Sequence, residues 1–246
     1  LTFWESGLWN ISLMNFAMQM MLMLVLGYVL ALSETVDKVI CKITPYCNNT
    51  LKAAYFVSLT TIIVSFLNWG LGLIFGAILT RKVGEYNQNK NNKINYPLVG
   101  AAGYSGLMVW HGGFSGSIPL KIAEKNHFRE IITDEDILSK LPKEGINFSE
   151  TVLSSMNITA SLLIIILIPL TFLILAKYTK NPKRTNIKIN TNNSKKDIIA
   201  SGEKLDRSVV LSKITGLIIL FVAIRKGYLS DNLSVINPNY INLLLL

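Results

Sequence analysis

Pro97-Leu98-Val99-Gly100-Ala101-Ala102-Gly103-Tyr104-Ser105-Gly106-Leu107-Met108-Val109-Trp110-His111-Gly112-Gly113-Phe114-Ser115-Gly116-Ser117-Ile118-Pro119-Leu120 runs for 24 residues without an Asp, Glu, Lys or Arg, yet its composition works against one uninterrupted helix. Gly100, Gly103 and Gly106 recur every three residues, which leaves one helix face nearly bare and lets a second helix approach closely. Further on, Gly112, Gly113 and Gly116 weaken a helix, while Pro119 lacks an amide donor and collides with the carbonyl of Ser115. Non-helical backbone at membrane depth survives only where protein buries it or where it lines a wet cavity, because hydrocarbon offers it no hydrogen bonds. The stretch therefore predicts a broken helix at a site. A half-helix beginning near Ser117 would aim amide N–H groups and a positive dipole end at the break, with hydroxyls from Ser115 and Ser117. A carboxylate suits that environment, and the carbonyls ending the preceding half suit a cation. A kinked helix whose glycines serve only packing is the competing reading.

The rest of the chain puts this stretch in a membrane. Of 246 residues, 50% are hydrophobic and only 16% charged, with mean hydropathy +0.41, whereas a soluble domain carries about 25% charged residues. Apolar runs at 8–32, 53–80 and 155–176 each reach the roughly 20 residues that a helix needs to cross the hydrocarbon core. Two shorter runs, 209–224 with Lys213 inside it and 240–246, are expected to be spans as well. The expected fold class is an all-α, polytopic transmembrane protein with broken or re-entrant helices. The chain begins at Leu1 and stops inside an apolar run, so it is expected to be part of a longer protein.

Charge sets the orientation. The loop 81–96 carries a net +3 and the loop 177–208 a net +6, whereas 124–154 carries −3. Short basic loops stay in the cytoplasm, so 97–120 is expected to cross outward and 155–176 to return, in a multi-pass protein of the cytoplasmic membrane. The tract Asn87-Gln88-Asn89-Lys90-Asn91-Asn92-Lys93 and the Lys/Asn-rich part of 177–208 are low in complexity and are expected to be flexible and solvated. Their positive charge suits orientation and anionic lipid headgroups. Without interleaved aromatic residues it does not suit nucleic acid.

A second polar break, Phe66-Leu67-Asn68-Trp69-Gly70-Leu71-Gly72, lies near the middle of 53–80. The run is either a re-entrant hairpin with Asn68 and Gly70 at its tip or one interrupted span. The hairpin is favoured because it brings the two breaks together near mid-membrane, as paired sites converge in transporters. Candidate substrate-binding residues are therefore Asn68, Trp69, Gly70, Trp110, Gly112, Gly113, Phe114, Ser115, Gly116 and Ser117. His111 is the ionisable group inside the runs and is the proton-coupling candidate, set against a neutral imidazole that hydrogen-bonds the broken backbone. Cys41 and Cys47 are read as unrelated rather than as a disulfide or metal pair. With no phosphate loop, His/Cys metal set or Ser-His-Asp grouping, neither an enzyme nor a resident cofactor is expected, apart from H⁺ or Na⁺ as a coupling ion.

These stretches resemble the short-chain fatty acid transporter family, bacterial membrane proteins associated with acetoacetate and butyrate uptake. Trp4-Glu5-Ser6-Gly7-Leu8-Trp9-Asn10 with Phe16-Ala17-Met18-Gln19-Met20 is similar to the family's second-span motif, and Asn68-Trp69-Gly70-Leu71-Gly72-Leu73 to its Asn-Trp-Gly-x-Gly motif. The segment from Tyr96-Pro97-Leu98 to Trp110-x-Gly112-Gly113-Phe114-Ser115-Gly116-Ser117-x-Pro119-Leu120 is similar to its most distinctive signature. The inner loop is more basic than the family pattern, and His111 stands where some members have glycine. The resemblance implies a secondary transporter with inverted repeats, of which this chain is about the first half. It implies a small monocarboxylate and membrane lipid as partners, with a homo-oligomer left open. A carrier of another small organic anion or dicarboxylate is the alternative, which would want an Arg or more donors. An intramembrane enzyme or a structural subunit stands further off.

Overall fold

The computed structural model describes residues 9–124, 127–132, 134–142, 145–178, 208–228 and 238–245. Among them the regular elements are helical. Helix α1, Ile11–Ala31, starts at Asn10, whose side chain accepts the Leu13 amide at 3.0 Å. Helix α2, Glu34–Ile43, leads through a single 3-10 turn, Thr44–Tyr46, to α3, Thr50–Leu67, and α4, Trp69–Asn89. Asn49 caps α3 in the same way, at 2.9 Å from the Lys52 amide, as Asn and Ser side chains cap helices generally. Helix α5, Tyr96–Tyr104, is followed by a 3-10 turn, Ser105–Val109, and by the short helices α6, Ser117–Ile122, α7, His127–Ile131, and α8, Glu135–Leu138. Helices α9, Ser155–Tyr178, α10, Val209–Tyr228, and α11, Pro238–Leu245, complete the order. Three of these, α1, α3 and α9, are long and apolar enough to cross a membrane, with mean hydropathies of 1.8, 1.6 and 2.8. The protein is an all-α polytopic membrane protein.

Helix α3 is the hub, packing on α4, α5, the second 3-10 turn and α9. The chain reverses between α3 and α4 through one extended residue, Asn68 (φ −148°, ψ 122°). The two helices then run antiparallel, with Gly72 against Ser65 and Gly76 against Thr61. At the far end the Asn87 amide donates to the Cys47 and Val83 carbonyls, both at 2.8 Å. Below the tip a core of Ile40, Val57, Phe75, Leu79, Val83 and Val99 fills the space between α2, α3, α4 and α5.

Close approach is what glycine contributes here. A Cβ on Gly103 would meet the Gly76 carbonyl oxygen at 2.8 Å as well as the Thr80 hydroxyl, and one on Gly27 would meet the Leu71 amide nitrogen at 2.7 Å. Gly100, the first of the three spaced glycines, faces open space, so the bare face expected of all three serves at Gly103 and Gly106 only.

Two sequence expectations need correction. The tract 87–93 is not a loose loop: α4 continues to Asn89, Asn87 is fully buried, and Asn92 donates to its side-chain oxygen at 3.0 Å. Asparagine amides here replace the backbone partners that a polar linker would have sought in water. The break in 97–120 begins at Ser105, ahead of the Gly112-Gly113 pair, and Pro119 lies in the first turn of α6, where its missing N–H would have had no intrahelical acceptor. The segment 179–207, which holds most of the expected basic loop, lies outside the described residues, as do Trp4 to Leu8.

Two outcomes follow from this packing. Gly103→Ala should destabilise the protein by about 1–3 kcal/mol through overpacking, whereas Gly100→Ala should be neutral or stabilise by up to about 1 kcal/mol; thermal unfolding in detergent compares them. Cys41 is exposed and Cys47 is buried, and burial pushes the Cys47 thiol up to about 12. Since the thiolate is the nucleophile, maleimide at pH 8 should label Cys47→Ser protein through Cys41 and leave Cys41 → Ser protein unlabelled at position 47 until it is unfolded.

Candidate functional site

The two breaks meet. Asn68 ends α3 and starts α4: its N–H donates to the Val64 carbonyl at 3.0 Å, its own carbonyl accepts the Gly72 amide at 2.9 Å, and its side-chain oxygen accepts the Leu71 amide at 2.8 Å. Ser115, 46 residues on, turns its hydroxyl toward the hairpin tip and accepts the Trp69 amide at 2.9 Å. The Phe114 amide donates to the Phe66 carbonyl at 2.9 Å. A Cβ on Gly113 would meet that same Phe66 oxygen at 2.5 Å, so the turn can approach the tip only with glycine there. From α9, the Asn157 amide donates to the Gly112 carbonyl at 2.9 Å and to the Val152 carbonyl at 2.8 Å. Each of these bonds satisfies a backbone group that helix would otherwise have paired.

Aromatic rings wall the junction. Trp69 and Trp110 stack with centroids 4.6 Å apart, Phe66 meets Phe114 edge-on at 5.3 Å, and Phe114 lies over Phe148 at 6.0 Å. Within this apolar wall several polar atoms are buried without a hydrogen-bond partner among the described residues: the Asn68 amide nitrogen, the Trp69 and Trp110 indole nitrogens, and the Thr61 and Ser65 hydroxyls. Thr61 and Ser65 continue a stripe from Ser58 along the face of α3 that meets Gly72, Gly76 and Gly106. Buried donors left unpaired cost about 1–3 kcal/mol each. Three N–H donors at one junction form an environment that an acceptor-only group, such as a carboxylate, would satisfy.

Of the sequence candidates, Asn68, Trp69, Gly113, Phe114 and Ser115 converge at this junction, with Trp110 stacked on Trp69. Gly70 lies against the backbone of α1 at Met23 and Leu24, Gly112 faces Asn157 and Ser161, and Gly116 closes on the His111 and Trp110 carbonyls. Two candidates point elsewhere. His111 is exposed, its ring stacked on Trp110 at 4.9 Å. Ser117 lines a separate cavity of about 690 Å³ between the start of α1, α6 and α7, one turn before Lys121. The α6 helix has only six residues and so brings little dipole of its own. Sequence reasoning did not single out Phe66, Phe148, Asn157 or Lys121. Asn157, a lone amide early in an apolar run, carried a signal; Lys121 read merely as the charge that closes a span. Among the described residues there is no His/Cys/Asp/Glu group able to hold a metal ion.

Comparison with known proteins agrees with the motif resemblance. The family described as short chain fatty acid transporter matches residues 1–246. A relative from Escherichia coli is 28% identical over 246 residues, covering 98% of this chain and 52% of the relative. Another from Haemophilus influenzae is 31% identical over 176 residues, covering 71% of this chain and 37% of the relative. Both are named, provisionally, as short-chain fatty acid transporters. This chain thus spans about half the length, or less, of these curated relatives. No solved structure matches.

The junction makes a stability prediction. Ser115→Ala should cost about 1–3 kcal/mol by orphaning the buried Trp69 amide. Asn68→Ala should cost about 1 kcal/mol as a lost cap, whereas Asn68→Ser should recover most of that, because serine caps as well as asparagine. Thermal unfolding of the three variants in detergent provides the measure.

Proposed function

The chain belongs to the short-chain fatty acid transporter family, and from that premise we propose that the protein carries small monocarboxylates of the acetoacetate and butyrate type across the cytoplasmic membrane. The observation that carries this reading is the set of three buried, unpartnered N–H donors, from Asn68, Trp69 and Trp110, at a junction of two interrupted helices. A carboxylate has acceptors and no donors, so it complements those groups without proton transfer. The stacked indoles and Phe114 give a short acyl tail an apolar wall. Transport then proceeds by alternating access around this junction, with H⁺ or Na⁺ as the coupling ion, and the basic segment 81–96 and the Lys177 end of α9 face the cytoplasm. No covalent chemistry is required of any residue.

The backbone constraints favour a substrate role for the side-chain donors over a purely structural one. Main-chain groups at the break already have partners in Ser115, Phe66 and Asn157, so the remaining donors are not needed to hold the turn. Replacing an indole by phenylalanine keeps the stack and deletes one unpaired donor. In proteoliposomes containing the full-length protein, Trp69→Phe, Trp110→Phe and Asn68→Ser should each weaken the apparent affinity for butyrate by roughly tenfold, the worth of a hydrogen bond to a charged acceptor, with thermal stability little changed. Unaltered affinity in all three variants would remove the junction as the carboxylate site. Collapsing the H⁺ and Na⁺ gradients separately identifies the coupling ion.

A further inference from the structure

Lys121 stands at the shared wall of two cavities that the junction does not use. On one side lies the 690 Å³ space, whose apolar lining includes Leu13, Phe16, Ile118, Ile122, Phe128 and Ile132. On the other lies a polar space of about 510 Å³ lined by Ser12, Asn15, Gln19, Glu124 and Asn239. Both volumes fall within the roughly 300–1,000 Å³ of small-molecule sites. The Lys121 side chain is only 14% exposed and is ion-paired with Glu124, itself 23% exposed. Ser117, one turn earlier on α6, shares its face and lines the apolar cavity with it. A partly buried ammonium is favoured by a counter-ion beside it, and Glu124 supplies one.

We propose that this is a second monocarboxylate-binding site, distinct from the junction, at which Lys121 exchanges its counter-ion. With no acid bound, Lys121 pairs with Glu124. A short-chain carboxylate replaces Glu124 one negative charge for one, its oxygens on the Lys121 ammonium and the Ser117 hydroxyl and its acyl tail among Phe16, Ile118 and Phe128. Glu124, released, turns into the polar cavity, where the Asn15 amide and the Gln19 amide, whose nitrogen also donates to Asn239 Oδ1 at 3.0 Å, can solvate it. The two-sided lining favours an anionic head with a small apolar tail, since an inorganic anion leaves the apolar part of the larger cavity empty; Asn10, Ser12 and His127 also reach that cavity. No bond is made or broken, and no proton is transferred. The identity of the acid rests on the transport reading; the site itself does not.

The exchange has a signature that a structural ion pair lacks. If Glu124 competes with the ligand for Lys121, removing its charge must strengthen ligand binding, as relieving a competing state raises apparent affinity. Purified full-length protein in detergent is titrated with butyrate and with butyramide, its neutral isostere, and both direct binding and thermal stabilisation are read. Glu124→Gln should bind butyrate several-fold tighter than the unmodified protein and be stabilised by it more, with no response to butyramide. Lys121→Met should lose this component of binding, and Ile118→Trp, which fills the tail space and leaves the charges in place, should do the same. If Lys121→Met does not fold, the other two variants still decide. Equal butyrate stabilisation of Glu124→Gln and unmodified protein, or equal effects of butyrate and butyramide, would overturn the proposal even if the junction variants lose uptake. Conversely, tighter binding by Glu124→Gln supports it even if Asn68→Ser and Trp69→Phe leave uptake intact, which would fault the junction reading instead.

Discussion

The hydrogen bond from the Trp69 amide to the Ser115 hydroxyl is where the architecture is held together. A membrane protein can leave the helix only where each freed backbone group finds a new partner, since hydrocarbon supplies none. Here two such departures, at Asn68 and between Ser105 and Gly116, are solved jointly. The hairpin tip supplies the Phe66 carbonyl and the Trp69 amide, and the glycine-rich turn supplies the Phe114 amide and the Ser115 hydroxyl. Neither break satisfies all of its freed backbone groups alone. Their mutual satisfaction fixes the distance between segments 46 residues apart and, with it, the aromatic wall around them.

Such contact needs backbones closer than ordinary side chains allow. Gly72 and Gly76 on α4, Gly103 on α5 and Gly106 in the turn after it meet the hydroxyl face of α3 or one another with no room for a Cβ. In a membrane, apolar burial does not favour helix–helix contact over helix–lipid contact, so packing of small residues and interhelical hydrogen bonds must supply the association. The buried Ser58, Thr61 and Ser65 stripe lies along that seam. Tight packing on one side and interrupted helices on the other give a rigid frame with a polar centre, as the proposed carriage of a small acid requires.

Lys121 applies the same economy to charge. Its side chain is only 14% exposed, and its partner Glu124 lies three residues on, so the pair is local, as the proposed exchange requires. On the two proposed readings the interior offers anions two kinds of environment: neutral donors at the junction, and a paired cation between an apolar and a polar cavity. The difference is physical, since neutral donors become more effective as water is excluded, while a buried cation must always be neutralised by something.

The sequence by itself determined the apolar runs, their helical state and the existence of the two polar breaks. These follow from properties local to a few residues: the absence of charge and glycine's backbone freedom. The tertiary structure alone decided what each residue contacts. Ser115 accepts the Trp69 amide and His111 is exposed; Gly100 read as part of a packing face but meets nothing; Asn87 read as loop but is buried. Lys121 read as the end of a span but lies between two cavities. Whether a hydroxyl or an ammonium faces its own fold, solvent or a cavity depends on which distant surfaces pack against it, and that information is spread over helices far apart in the chain rather than written in the residue's own neighbourhood.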